Sequence, residues 1–358
     1  MAGQGQAGAG TATGSDALLT RFRPVALRLA QAVPVAFGVV VISFLLTRAL
    51  PGDPAVYFAG AMADEASIAQ IRGDLGLDRP LPVQFLYYLG DLARGDLGNS
   101  ISTGQPVLAD LAQRLPASLE LTFTALIVSC GVAVPLGVLA ATRPGSLVDH
   151  LCRVVVTAGV SLPTFFTGIV LVYVFYYLAG IAPAPLGRLD FLYLEPPRAT
   201  GFLLIDTLLI GDVQTFWAAL RQLVLPALTL ALFTMAPIAR MTRGAMLQAL
   251  SSDYIRTARA AGLGWRKVLF GYALRNAMLP VVTTLGMVFS FTLGSNVLVE
   301  KVFAWPGIGS YAVEALVASD YAAVQGFVLA MALLFVALNL VIDVAYTAID
   351  PRIGFDAR

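Results

Sequence analysis

SSDYIRTARAAGLGWRKVLFGYALRNAMLP, residues 251–280, is polar, basic and punctuated by glycine, yet it stands between two long apolar runs. Around it the chain is mostly oil: 58% of its 358 residues are hydrophobic, 13% are charged, and the mean hydropathy is +0.79. Soluble domains carry about twice that share of charge. The chain therefore belongs in lipid, which offers a backbone no hydrogen-bond partner except itself.

Apolar runs of about 20 residues are long enough to cross a bilayer as helices. They fall at 27–48, 118–141, 153–179, 217–240, 279–299 and 325–348, which predicts six spans. Pro34, Pro135, Pro163, Pro226 and Pro237 lie inside them and predict bends, because each removes a helix hydrogen bond. Residues 1–20, rich in Gly, Ala and Thr, read as a floppy tail. The run after Arg21, Arg23 and Arg28 is too long for a cleaved signal and reads as a retained first helix over 21–50.

Lys and Arg collect in the tail, near Arg143 and Arg153, and at Arg256, Arg259, Arg266, Lys267 and Arg275. The excess of positive charge places those segments, and with them both termini and residues 351–358, in the cytoplasm. The alternate segments are acid-rich, above all 51–116 with Asp53, Asp64, Glu65, Asp74, Asp78, Asp91, Asp96 and Asp110. This external segment carries its own helix signals. Asp64 and Glu65 open a run with Ile68, Ile71 and Leu75 at helical spacing, closed by Gly76, and Phe85, Leu86 and Leu89 share one side of a second run. Residues 117–350 then form the membrane core, with the polar loop 241–279 inside it. The fold class expected is an all-α polytopic membrane protein of six transmembrane helices with an external helical subdomain.

Several function classes drop out. His150 is the one histidine, and Cys130 and Cys152 sit in apolar runs without CxxC spacing, so zinc sites and His-dependent triads lack their parts. Lys267 and Lys301 are the only lysines, and neither follows the GxxxxG of a phosphate loop, so ATP is not burned by this chain. Glu120 and Asp343 lie near span ends, where water or an arginine satisfies a carboxylate. The middles of the spans lack the ionisable groups an ion-coupled secondary carrier needs.

Within the opening stretch Ser252 is placed to cap a helix starting at Asp253, and Gly262 to end it. A second short helix is expected from Trp265 to Met278 beyond a Gly-Leu-Gly corner. Tyr254, Ala258 and Ala261 share one face, and the alanines make it a shallow knob that another surface can approach closely. Arg266 and Lys267 sit in a first turn, where the helix dipole disfavours cations. Either an anionic leaflet or an acidic partner protein compensates them.

DYIRTARAAGL followed by YALRNAMLP resembles the cytoplasmic loop of binding-protein-dependent ABC importer permeases, in particular the B-type subunits of dipeptide and oligopeptide permeases. ALPGDPA at 49–55, LGLDRPLPVQFLYYLGDLARGDLGNSI at 75–101 and VEKVFAWPGIG at 299–309 resemble further stretches of that family in the same order. The resemblance implies a type I importer fold and a coupling helix that meets an ATPase subunit. Asp253, Tyr254, Ile255, Arg256, Thr257, Ala258, Arg259, Ala261, Gly262 and Leu263 would form or border that contact. Arg256 stands where the wider importer pattern has glutamate, which reverses a charge. Phe303, Trp305, Pro306, Gly307 and Gly309 would form an outer loop, either anchoring at the membrane interface or lining the mouth of the pathway. The resemblance further implies a second permease subunit in a heterodimer, two ATP-binding subunits that use ATP and Mg, an external solute-binding protein, and peptide cargo; related permeases carry nickel, glutathione or oligosaccharides. No cofactor is expected on this chain itself.

Overall fold

The computed structural model describes residues 33–45, 48, 55–56, 63–74 and 76–349. The expected N-terminal tail, nearly all of ALPGDPA, and residues 351–358 lie outside the described residues. Twelve helices are labelled here in chain order. They begin with α1 (Val33–Leu45), α2 (Glu65–Asp74), α3 (Leu81–Ala93) and α4 (Val107–Thr142). Then come α5 (Leu147–Ser161), α6 (Thr164–Leu171), α7 (Leu203–Leu209) and α8 (Val213–Leu250). The last four are α9 (Asp253–Ala260), α10 (Arg275–Val302), α11 (Ile308–Val317) and α12 (Tyr321–Ile349).

Among the described residues four helices are long and apolar enough to cross a membrane: α4, α8, the rod Lys267–Val302 that contains α10, and α12. α8 is the central post. Of its most apolar stretch 72% is buried within the chain, against 6% for α12, whose apolar surface is left to lipid or a partner. Pro116, Pro135, Pro226, Pro237 and Pro280 all sit inside helices that continue through them. Each ring deletes one donor, and lipid gives the freed carbonyls no reason to unwind further. Buried threonines on α8 turn their hydroxyls back onto carbonyls four residues earlier, as Thr229 does to Leu225 (2.8 Å) and Thr242 to Ile238 (2.8 Å).

The span expected at 153–179 is broken. α5 stops at Ser161, Leu162 is extended (φ −114°, ψ 141°), and α6 leaves at 104° to α5, continuing as a π-helix over Val172–Leu178. The cause is Pro163, whose ring drives the residue before it out of the helical region. The two arms still make one crossing together. Asp149 at the start of α5 binds Arg243 near the C-terminal end of α8, while Gly187, beyond α6, bonds Phe303 just past the far end of α10. With that pair, the described residues supply five crossings, and α1 is the described part of the sixth expected one.

The segment before α4 contains both expected helices. Asp64 Oδ1 accepts the Ser67 amide (3.1 Å), which caps α2. α3 packs on α1 through Phe85 and Tyr88, whose rings lie 5.2 and 5.8 Å from that of Phe44. Leu86, expected on the packed side, points outward instead. α4 begins at Val107, ahead of the apolar run expected from residue 118. The loop before it is pinned across the fold: buried Asp320 accepts Ser100 Oγ (2.6 Å) and the Ser102 amide (3.0 Å), and caps α12 through the Ala323 amide (3.1 Å).

Asp149 is fully buried and makes four bonds: Arg243 Nε (2.6 Å) and Nη2 (3.1 Å), Arg153 Nη2 (2.7 Å) and the Gly145 amide (2.9 Å). Of the two arginines only Arg243 joins α5 to α8, whereas Arg153 bonds within α5 and is more than half exposed. Arg243→Ala is therefore expected to lower the thermal unfolding midpoint in detergent micelles clearly more than Arg153→Ala. Equal midpoints for the two variants would contradict the assignment of Arg243 as the joint.

Candidate functional site

α9 runs from Asp253 to Ala260, as its sequence predicts, and Gly262 turns the chain with φ +75°, a value that only glycine adopts cheaply. The Gly262 amide bonds Arg259 O (2.9 Å) and the Leu263 amide bonds Ala258 O (3.2 Å), closing the helix end. Ser252 occupies the cap position, but its hydroxyl donates to Ala249 O (2.5 Å) instead of capping α9. The short second helix expected over Trp265–Met278 does not end there. Lys267–Leu274 is a π-helix that runs straight into α10 through Pro280, so the corner after α9 opens directly onto a membrane-spanning rod.

The expected knob is corrected by packing. Ala258 is 7% exposed and Ile255 1%, and both face inward, while Tyr254 and Ala261 face out. Ile255 and Ala258 join Val138 and Ala141 of α4, Met246 of α8, Val268 and Leu269 of the π-helix, and Ala277 of α10, with Leu263 packed alongside. The outward surface is Asp253, Tyr254, Arg256, Thr257, Arg259, Ala261 and Gly262. Two local contacts order it. Arg256 pairs with Asp253 (3.2 Å), both well exposed, and the Arg259 guanidinium lies 4.7 Å from the centre of the Trp265 ring. A groove of about 330 Å³ opens beside it, between Gln248, Ser252 and Tyr254 on one wall and Asn276, Ala277 and Pro280 on the other.

At the other end of α8, the WPGIG segment is not a free loop. Phe303 and Trp305 are 3% and 2% exposed, packed with Ala117, Leu121, Leu223 and Val299, and Trp305 Nε1 donates to Ala117 O (2.9 Å). Gly307 and Gly309 are buried too, and Pro306 is the exposed member of the five. Phe303 and Trp305 are therefore core residues and not aromatics anchored in the headgroup layer. Their neighbour Glu300, which the sequence reading passed over, organises the turn. Its fully buried carboxylate accepts Ser118 Oγ (2.5 Å) and the Ser310 amide (2.8 Å) at the N-terminus of α11, where the helix dipole favours negative charge. Ser118 in turn accepts the Ile308 amide (2.8 Å). A carboxylate one residue before Lys301 was the available signal, but its partner lies 182 positions away.

Glu120 finds its arginine, as expected. Arg188 Nη2 donates to Glu120 Oε2 (2.6 Å) and to Gly201 O (3.0 Å), and Glu120 Oε1 takes the Leu204 amide (2.8 Å). The side chain of Asp343 lies outside the described residues. Nearby Asp206 is opposed by its own burial but receives the Thr200 hydroxyl and the amides of Thr200 and Gly201, which together hold its carboxyl below the ordinary value.

Apolar rods around a central helix, with a short charged helix fastened across their ends, define an α-helical polytopic membrane subunit. Residues 133–355 match the family described as "Binding-protein-dependent transport system inner membrane component", and 21–122 match its N-terminal companion. The chain belongs to this family, and is thus an inner-membrane component of a binding-protein-dependent transport system. It is 48% identical over 324 residues to the probable D,D-dipeptide transport system permease protein DdpB of Escherichia coli K12, covering 90% of this chain and 94% of that one. It is 43% identical to the di/tripeptide transport system permease protein DppB of Pseudomonas aeruginosa, over 92% of this chain and 98% of the other. To the dipeptide transport system permease protein DppB of Escherichia coli K12 it is 39% identical, over 91% and 97%.

A Cβ added to Gly307 would overlap both Glu300 carboxylate oxygens, whereas one added to Gly244 meets nothing within 4 Å. Gly307→Ala is expected to destabilise the folded chain by about 1–3 kcal/mol in reversible micelle unfolding, as overpacking does. Gly244→Ala should leave it at least as stable. If Gly307→Ala unfolds at the same point as the parent, the Glu300 junction is not tightly packed.

Proposed function

We propose that this chain is the membrane-spanning subunit of an ATP-driven importer for dipeptides or short oligopeptides, and that α9 is the element through which separate ATPase subunits move it. One observation carries the reading: α9 is fastened inward by Ile255 and Ala258 to the ends of α4, α8 and the α10 rod, while its charged and small residues face outward. A helix held in that way is a lever. When a partner displaces it, the displacement passes into three spans at once, and the Asp149–Arg243 joint extends it to α5. Peptide cargo follows from the names of the three relatives, each of which is matched over at least nine tenths of this chain.

In this reading, two ATP-binding subunits bind ATP and Mg, draw together, and swing the spans between inward and outward states. This chain contributes no catalytic residue to that step. A second permease subunit completes the pathway in a heterodimer, and an external solute-binding protein delivers cargo at the end of α8 that carries Glu300 and Arg188. Both termini and the 241–279 loop lie in the cytoplasm. Arg256 in place of glutamate means that the partner surface meets a cation there, so an acidic group is the complementary contact.

The test uses the outward face. Arg256→Glu with Arg259→Glu is expected to abolish co-purification with the ATPase subunits while the chain still inserts and stays monodisperse in detergent. Ala258→Glu should instead disrupt folding, because that side chain has no exit to water. Retention of the ATPases by the double variant would remove α9 from the contact.

Orientation has its own measurement. A cysteine introduced by Asp96→Cys should react with an impermeant maleimide added outside intact cells, and one introduced by Arg266→Cys should react only after permeabilisation. The reverse pattern would invert the topology.

A further inference from the structure

The break between α5 and α6 lies at the middle of the bundle. Near the end of α5, Gly159 presses so closely on α8 that an added Cβ would overlap Leu232 O and crowd Ala236. Gly168 seats α6 in the same way, where a Cβ would crowd Thr229 and the Phe303 ring. Thr229, Leu232 and Ala236 surround the midpoint of α8, so residues 161–163 stand level with the centre of the central post. The arms on either side are equal in length: 15 residues in α5, against 8 in α6 and 7 in the π-helix that continues it. Their far ends are tied by the Asp149–Arg243 pair and by the Gly187 amide on Phe303 O. The break is thus held in place by packing on both of its flanks.

Its backbone is not suited to hydrocarbon. Leu162 is extended, Pro163 has no amide hydrogen, and no side chain caps the start of α6. The first amide of α6 to find a carbonyl in its own helix is that of Thr167, on Pro163 O (3.1 Å), which leaves the amides of Thr164, Phe165 and Phe166 ahead of it as helix-end donors. At the end of α5, Ser161 Oγ takes up Thr157 O (2.6 Å), and the carbonyls beyond it have no helix to continue into. Ser161, Leu162 and Pro163 are all exposed. Non-helical backbone at membrane depth persists where protein buries it or where it borders a water-filled cavity, and never against lipid. This chain does not bury it. Water satisfies such a set of scattered donors and acceptors without a matching surface, whereas a dry partner would need a complementary group for each.

We propose that Ser161, Leu162 and Pro163 line the water-filled route by which cargo crosses the membrane. The assignment rests on the importer reading above and places the route along one face of the broken span. Main-chain groups at the break meet the main chain of a passing peptide, which every peptide carries whatever its side chains.

The experiment uses the full complex in inverted membrane vesicles, whose cytoplasmic face is outside. Single cysteines are introduced by Leu162→Cys, by Ser161→Cys, which exchanges one atom, and by Leu333→Cys in α12. Leu162 and Leu333 are 50% and 52% exposed, so a difference between them reports surroundings and not accessibility within the chain. A charged methanethiosulfonate is added, and mass spectrometry follows each labelled peptide separately from Cys130 and Cys152. Positions 161 and 162 should react about tenfold faster than 333, because a thiol in hydrocarbon neither ionises nor meets a charged reagent. Their rates should then fall about tenfold when ATP and vanadate hold the ATPase subunits together and turn the route outward. Rates at 161 and 162 as slow as at 333 overturn the proposal, and photo-adducts from benzoylphenylalanine at 162 to the second permease subunit would then identify a dry interface. Fast rates indifferent to ATP and vanadate overturn it too, since they describe a static water pocket. In either case ATPase subunits that co-purify with the unaltered chain leave the importer reading standing; their absence is the failure of that reading.

Discussion

The structure depends on the burial of two apolar side chains at one end of a bundle. Ile255 and Ala258 take α9 out of solution and seat it on α4, α8 and the α10 rod. Burying an isoleucine is worth about 1.5–3 kcal/mol, enough to hold an eight-residue helix that is far too short to be stable alone. Its packing makes it an extension of the spans beneath it, and the same packing leaves Asp253, Tyr254, Arg256, Thr257 and Arg259 free to meet another surface.

The far end of the bundle uses the opposite chemistry. There a carboxylate without a facing cation, Glu300, is satisfied by a hydroxyl and by the N-terminus of α11, and Glu120 by Arg188 and a backbone amide. Charges withdrawn from water demand complete partners, so these groups fix geometry more sharply than apolar contacts do. Trp305 lies within this arrangement and bonds the Ala117 carbonyl. One end is thus a short helix packed in oil, and the other is a polar joint beside the anchored 179–202 loop.

Much of this was legible beforehand. Hydropathy located the four long spans, glycine chemistry ended α9 before Gly262, and α2 lies between Asp64 and Gly76 as those residues predicted. Three things were not. Pro163 signalled a bend but not a 104° break, because the angle depends on what the second arm packs against. The inward face of α9 was misread because alanine at 258 suits a closely approached surface equally well whether the approach comes from a partner or from the chain itself. Phe303 and Trp305 carry the composition of an interface belt, and only their neighbours reveal that they are core.

The sequence by itself determined that the chain lies in a membrane, how many times its apolar runs are long enough to cross it, and that a polar helix-glycine-corner interrupts them. Those are one-dimensional properties: length, hydropathy, and local cap or turn chemistry, each acting within a few residues. The tertiary structure alone decided which side of α9 is inside, that Glu300 reaches Ser118 and α11, and that the 179–202 loop stands anchored with its apolar tip exposed. The small residues of α9 do not say whether a partner or the chain itself approaches Ala258, and a buried carboxylate does not say which distant hydroxyl will satisfy it. Both are settled only when the chain packs.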